Sequence, residues 1–210
     1  HFYRTRIELL HLKALTQSLF PGIQKLDKAG LKKLDEIIAS INHADAENAA
    51  LYDHFGLKEK KPVEHDMVAV EYVVCDKIEK EFPDLVEFIH LPFTSEDVNN
   101  LAYNEMISDA FNKSWLPAFF SLTDNLALLS EKYASTPSIG LTHAQSASPT
   151  TFGKRFAYFL HNAMESISPL ENLVLDAKMS GAVGNNNAVM ASCPNFDFPK
   201  YAKEFVESMG

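Results

Sequence analysis

Apolar residues recur at steps of three and four along almost the whole chain, which is the spacing of one helix face. The pattern is present from the start and predicts a helix over 4–20. Leu31, Leu34, Ile38 and Ile41 then line a single stripe. Pro62 predicts the first turn of another helix, where a missing N–H costs nothing, and Met67, Val70, Val74 and Ile78 follow on one face. Thr94 and Asp97 have capping spacing, a hydroxyl followed three residues later by an acid, which predicts a helix start at 94. Phe111, Trp115, Phe119, Leu122, Leu126, Leu129 and Tyr133 run close to a heptad seam. Pro117 lies within that seam and predicts either a kink or a fresh helix capped at Ser114. A last long run, Phe152, Phe156, Phe159, Ala163, Ile167, Leu170, Val174 and Ala177, should bend at Pro169. Strand-like alternation is scarce and no internal repeat occurs. The expected architecture is all-α, with at least two long helices suited to a bundle.

Polar segments interrupt this monotony. In "KPVEHDMVAVEY" (61–72), Glu64, His65 and Asp66 fall in a helix's opening turn, where the helix dipole favours carboxylates and tends to keep a histidine neutral. In "FTSEDVNN" (93–100), Thr94 and Ser95 stand before a helix N-terminus, a ready place for a carboxylate or phosphate. In "LTHAQSASPTTFGK" (141–154), His143 is of the residue type that can work as acid or base at physiological pH, with Gln145 and several hydroxyls as donors beside it. Each has a plainer reading: a solvated turn, ordinary capping, and a surface loop that ends in a Ser/Thr cap. A fourth segment, "KMSGAVGNNNA" (178–188), offers glycines for a tight turn but not the spacing of a phosphate loop.

Composition narrows the function classes. The chain has 210 residues, 46% of them hydrophobic, enough for a substantial core. A net charge of −9 and a pI near 5.3, without a long basic run, argue against nucleic-acid binding. No apolar stretch approaches the roughly 20 residues of a membrane span, and no signal peptide is seen at its start. Cys75 and Cys193, far apart in sequence, suit free thiols in a reducing cytoplasm. The histidines lack H-E-x-x-H spacing, so no metal is expected, and no G-x-S-x-G elbow supports a serine hydrolase. His1 in place of methionine, an uncapped first helix and an ending just past another helical run read as a piece of a longer protein.

Four segments, taken in order, resemble the adenylosuccinate lyases of the fumarase/aspartase superfamily. "EHDMVAVEY" is similar to that family's N-H-D-x-x-A-V-E-Y, and "EFIHLPFTSEDVNNLA" to its E-F-I-H-F-x-x-T-S-E-D-I-N-N-L. "THAQSASPTTFGK" is similar to T-H-G-Q-P-A-T/S-P-T-T-F/I-G-K, and "KMSGAVGNNNA" to K-x-x-G-A-V-G-N-Y-N-A. The departures are Glu64 for asparagine, Ala144 for glycine, Ser146 for proline, Asn186 for tyrosine and Val189 for histidine. The resemblance implies a helical domain over 1–92, then over 93–210 the first long helices of the family's central bundle.

The implied reaction is an anti β-elimination that releases fumarate from adenylosuccinate, giving AMP, and from the related succinyl-carboxamide ribotide. It implies His143 as general acid, His65 as a supporting catalytic histidine, and Glu64, Asp66, Thr94, Ser95, Gln145 and Lys154 as substrate-binding. No cofactor or metal is implied; a homotetramer is, with each site built from several subunits. The family's base, a serine in an S-S-x-M-P-x-K-x-N-P loop, has no match in 1–210, so these residues alone are expected to be inactive. A non-catalytic relative of the same fold, or a sister fumarate-forming lyase, would also fit these residues.

Overall fold

The computed structural model describes residues 1–171 and 173–209. Helices dominate, in the order α1 (Phe2–Gln17), α2 (Lys28–Ala39), α3 (His43–His54), α4 (Asp66–Ile78), a 3₁₀ turn (Pro83–Phe88), α5 (Ser95–Ala110), a π turn (Phe111–Trp115) and α6 (Leu116–Lys132). A hairpin of β1 (Pro137–Thr142) and β2 (Gln145–Thr151) follows, then α7 (Phe152–Glu171), α8 (Asn187–Ser192) and α9 (Phe198–Ser208). No helix among the described residues is long and apolar enough to cross a membrane.

The chain forms two compact units, His1–Met106 with Asp176–Gly210, and Ile107–Leu175. The expected boundary at 92/93 falls inside the first of them. The reason is the return of the chain after 175: Met179, Val189, Phe198, Tyr201 and Phe205 join the same core as Ile7, Leu12 and Val98.

In the first unit α4 is the buried centre. Its predicted stripe of Met67, Val70, Val74 and Ile78 is fully enclosed, and Ala69 and Val73 are buried as well, so apolar packing surrounds more than one face. Polar ties register its neighbours: Lys77 pairs with Asp45 of α3 at 2.9 Å, and Tyr52 of α3 donates to Asp76 at 2.7 Å. Of the α2 stripe, Leu34 and Ile41 reach the core.

The second unit departs most from the sequence pattern. Pro117 brings neither a cap at Ser114 nor a break; a π turn ends at Trp115 and α6 begins at Leu116. Proline cannot donate to the carbonyl four residues back, and a wider turn upstream absorbs that loss. Phe111, Trp115 and Phe119 stack along it with ring centroids 5.1 Å apart. At the other end α7 stops at Glu171, soon after Pro169, so Val174 and Ala177 lie outside the helix that was expected to include them. Between α6 and α7, where a loop was expected, stands the antiparallel hairpin.

Candidate active site

Two sets of predicted residues sit on separate units. Glu64, His65, Asp66, Thr94 and Ser95 belong to the first; His143, Gln145 and Lys154 belong to the second.

The 64–66 segment does not form the first turn of a helix begun at Pro62. Instead the Val63 and Glu64 N–H groups donate to the Tyr52 and Asp53 carbonyls at 3.1 Å. These bonds pin it to the end of α3 and delay the helix to Asp66. Glu64 then takes a left-handed φ of 49° with its side chain exposed. An asparagine tolerates that conformation better than a glutamate does. His65 becomes the N-cap of α4, its Nδ1 accepting from the Val68 N–H at 3.4 Å. A nitrogen that accepts carries no proton, which leaves Nε2 as the donor of this exposed ring. Asp66 is held by Arg4 of α1 at 2.7 Å.

The turn before α5 is built from below by α1. Glu8, a buried carboxylate, accepts from the His90 backbone at 3.2 Å and meets His90 Nδ1 at 2.6 Å. Burial alone would lower the His90 pKa; the bond and charge of Glu8, with the charges of Glu71 and Asp97, outweigh it and raise the pKa. Glu71 also stands among His90, Glu8 and His65, and burial raises its carboxyl above the usual range. His11, fully enclosed, bonds the Leu91 carbonyl through Nε2 at 2.9 Å and the Tyr201 hydroxyl through Nδ1 at 3.0 Å. Burial holds its pKa down to about 3, so the ring is neutral. A carbonyl only accepts, so Nε2 carries the proton and Nδ1 accepts from Tyr201.

Thr94 and Ser95 lie at the α5 N-terminus as predicted, but the capping runs the other way. Both the Thr94 N–H and its hydroxyl donate to Asp97 Oδ2, each at 3.0 Å. Asp97 is almost wholly buried, and Lys178 Nζ, Ser180 N–H and Gly181 N–H also donate to it, at 2.9, 3.1 and 3.1 Å. Burial alone would raise its pKa; Lys178, with the donors from Thr94 and Ser180, outweighs it and lowers the pKa. The sequence signals for Asp97 are its spacing from Thr94 and the motif that contains both; nothing along the chain pairs it with residues 178–181 or gives His90 a partner.

In the second unit His143 is at the tip of the hairpin. Thr142 pairs with Gln145, leaving a two-residue loop, and φ is 50° at His143 and 61° at Ala144. Positive φ at both central positions defines a type I′ turn, which favours glycine at the second. The imidazole and Gln145 are exposed. A two-stranded ribbon is weak alone, and this one is braced by α7. Arg155 donates to the Ile139 carbonyl at 2.6 Å, and the Phe152 and Gly153 N–H groups donate to Thr136 and Tyr133 at 2.9 Å. Thr151 caps α7 through the Lys154 N–H at 3.2 Å, which places Lys154 in the first turn. A Cβ on Gly153 would meet the Ser130 carbonyl oxygen at 2.3 Å, so only glycine lets α7 approach α6 there. Among the described residues no three His, Cys, Asp or Glu side chains converge to hold a metal.

A family model described as "Lyase" matches residues 4–206. An adenylosuccinate lyase from Haemophilus influenzae is 39% identical over 180 residues, covering 84% of this chain and 38% of its own. Those of Legionella pneumophila and Escherichia coli are 33% and 32% identical over 212 residues, each with 45% of its own length covered. The chain thus spans less than half the length of these relatives. In fold it is similar to a fumarate lyase from Mesorhizobium sp. BNC1, with a TM-score of 0.70 at 18% identity over 98% of this chain and 44% of that one. A 3-carboxy-cis,cis-muconate lactonizing enzyme from Pseudomonas putida gives 0.68 at 18% identity, over 99% of this chain and 44% of that one.

Proposed function

The chain belongs to the lyase family, as a member of the fumarase/aspartase superfamily, and on that premise we propose that the protein is an adenylosuccinate lyase of purine nucleotide synthesis. The observation that carries this reading is identity above 30% to adenylosuccinate lyases along nearly the whole chain, with the four motif segments in order. The substrates are adenylosuccinate and the succinyl-carboxamide ribotide, each losing fumarate, in the cytoplasm.

The chemistry assigns the residues. A base removes a proton from the carbon next to a carboxylate, donors hold the charge that builds on that carboxylate, the C–N bond breaks, and an acid protonates the leaving nitrogen. His143, exposed on a braced hairpin tip, is the acid. Thr94 already gives both of its protons to Asp97, which leaves Ser95 at the start of α5 as the hydroxyl that binds a substrate carboxylate. His65 presents Nε2–H to the substrate, Arg4 keeps Asp66 in place beside it, and Glu64, Gln145 and Lys154 complete the contacts. The base is a serine outside these 210 residues. Sites are assembled from several subunits of a homo-oligomer, a tetramer, packed through α6 and α7.

Fumarate release from adenylosuccinate tests this reading in the full-length protein. His143→Gln should lower kcat roughly 100- to 10,000-fold, argininosuccinate should not be cleaved, and the 210 residues alone should release nothing. Undiminished turnover by His143→Gln would sink the assignment of the acid.

A further inference from the structure

Asp97 joins two segments that lie 81 residues apart in sequence. Its stripe on α5 continues through Asn100 and Asn104, one and two turns on. Asn100 exchanges two bonds with the Lys178 backbone, accepting from its N–H at 2.8 Å and donating to its carbonyl at 3.1 Å. Asn104 donates to the Asp176 carbonyl at 2.9 Å. The segment 176–181 is thus zipped to one face of α5 by side chains that stand in for backbone partners. Lys178 closes the array, its Nζ reaching Asp97 and the Gly181 carbonyl, both at 2.9 Å.

We propose that Asp97 is a positioning residue through which the 176–181 segment sets the place of Ser95. A buried carboxylate without donors is strongly unfavourable, so Asp97 sits where its five donors converge. Three of these come from the segment and two from Thr94, the residue bonded to Ser95. Moving the segment therefore moves the turn. Asparagine at 97 could not serve: its amide group would turn a donor toward donors. Lys178 acts on the reaction without touching substrate. The inference rests on the reading of Ser95 as a substrate-binding residue.

Amide hydrogen exchange of the whole protein, resolved at Thr94, Ser180 and Gly181, tests the coupling. Lys178→Met, which removes no bond of Thr94, should speed exchange at Thr94 tenfold or more along with that at Ser180 and Gly181. Acceleration confined to 180–181 would overturn the proposal. Asn100→Ala loosens the segment without unpairing a buried charge, so it gives the same test if Lys178→Met fails to fold. In the elimination assay Lys178→Met and Asp97→Asn should each lower kcat/KM roughly tenfold to a hundredfold, and the double variant should be no worse than Asp97→Asn. Wild-type kcat/KM in Lys178→Met, with Thr94 exchange raised, would overturn the positioning role. A wild-type protein that releases no fumarate would instead remove the adenylosuccinate reading, and the exchange experiment would still decide whether segment and turn move together.

Discussion

At the residue scale, the consequential positions are those whose backbone or charge state conflicts with their chemistry. Ala144 holds a left-handed φ of 61° in the I′ turn, a conformation that costs a residue with a Cβ about 1–2 kcal/mol. Ala144→Gly relieves it and should stabilise the hairpin by about 1 kcal/mol, less the entropy that glycine returns to the unfolded chain; thermal denaturation measures the change. Gly153 is the opposite case. Its Cα faces the Ser130 carbonyl and the Ala134 backbone, so Gly153→Ala must part α6 from α7 and should lose about 1–3 kcal/mol in the same experiment. His90 carries a pH dependence. Its folded pKa is raised above 6.5 by Glu8, so its contribution is whole below about 6.5 and is lost as pH rises through the folded value. Denaturant midpoints should therefore fall across that interval, and His90→Gln should flatten the profile.

At the element scale, helices were legible wherever apolar spacing met a breaker. The buried stripe of α4 and the start of α5 stand where the pattern put them, since residues three and four apart share a helix face. The hairpin was not legible. Its strands, "PSIGLT" and "QSASPTT", are short, mostly exposed and largely polar, so they carry no period-two contrast; they pair with each other, and Arg155 of α7 ties β1 at the Ile139 carbonyl. The four-residue delay in α4 has a similar origin, since tertiary bonds to Tyr52 and Asp53 hold 63–64 out of the helix against the helix-starting preference of Pro62. Of the candidate site, motif wording identified His65, Thr94, Ser95 and His143. Asp97 and His90 went unread because their partners, Lys178 and Glu8, are distant in sequence and only the fold brings them near.

On the scale of the whole molecule, α6 and α7 expose Leu128, Tyr158 and Phe159, each more than 60% accessible. Large apolar side chains grouped on one pair of helices mark an interface more often than a free surface, which accords with the proposed oligomer. Phe159→Asp should shift the full-length protein toward smaller species in sedimentation velocity. If subunits share sites, mixing a His143→Gln protein with a Ser95→Ala protein should restore fumarate release that neither has alone. An unchanged, inactive mixture would mean that both residues serve one site from one subunit.

The sequence by itself determined the helical class, the stripes that enter the core, and the family, since periodicity and short contiguous motifs are properties of neighbours along a chain. Tertiary structure alone decided that the chain after 175 rejoins the first unit, that His143 rides a hairpin tip, and that Asp97 is bound by Lys178, Ser180 and Gly181. Those outcomes depend on apolar side chains, backbone groups and a buried charge finding partners elsewhere in the fold, and no local pattern records where such partners will come from.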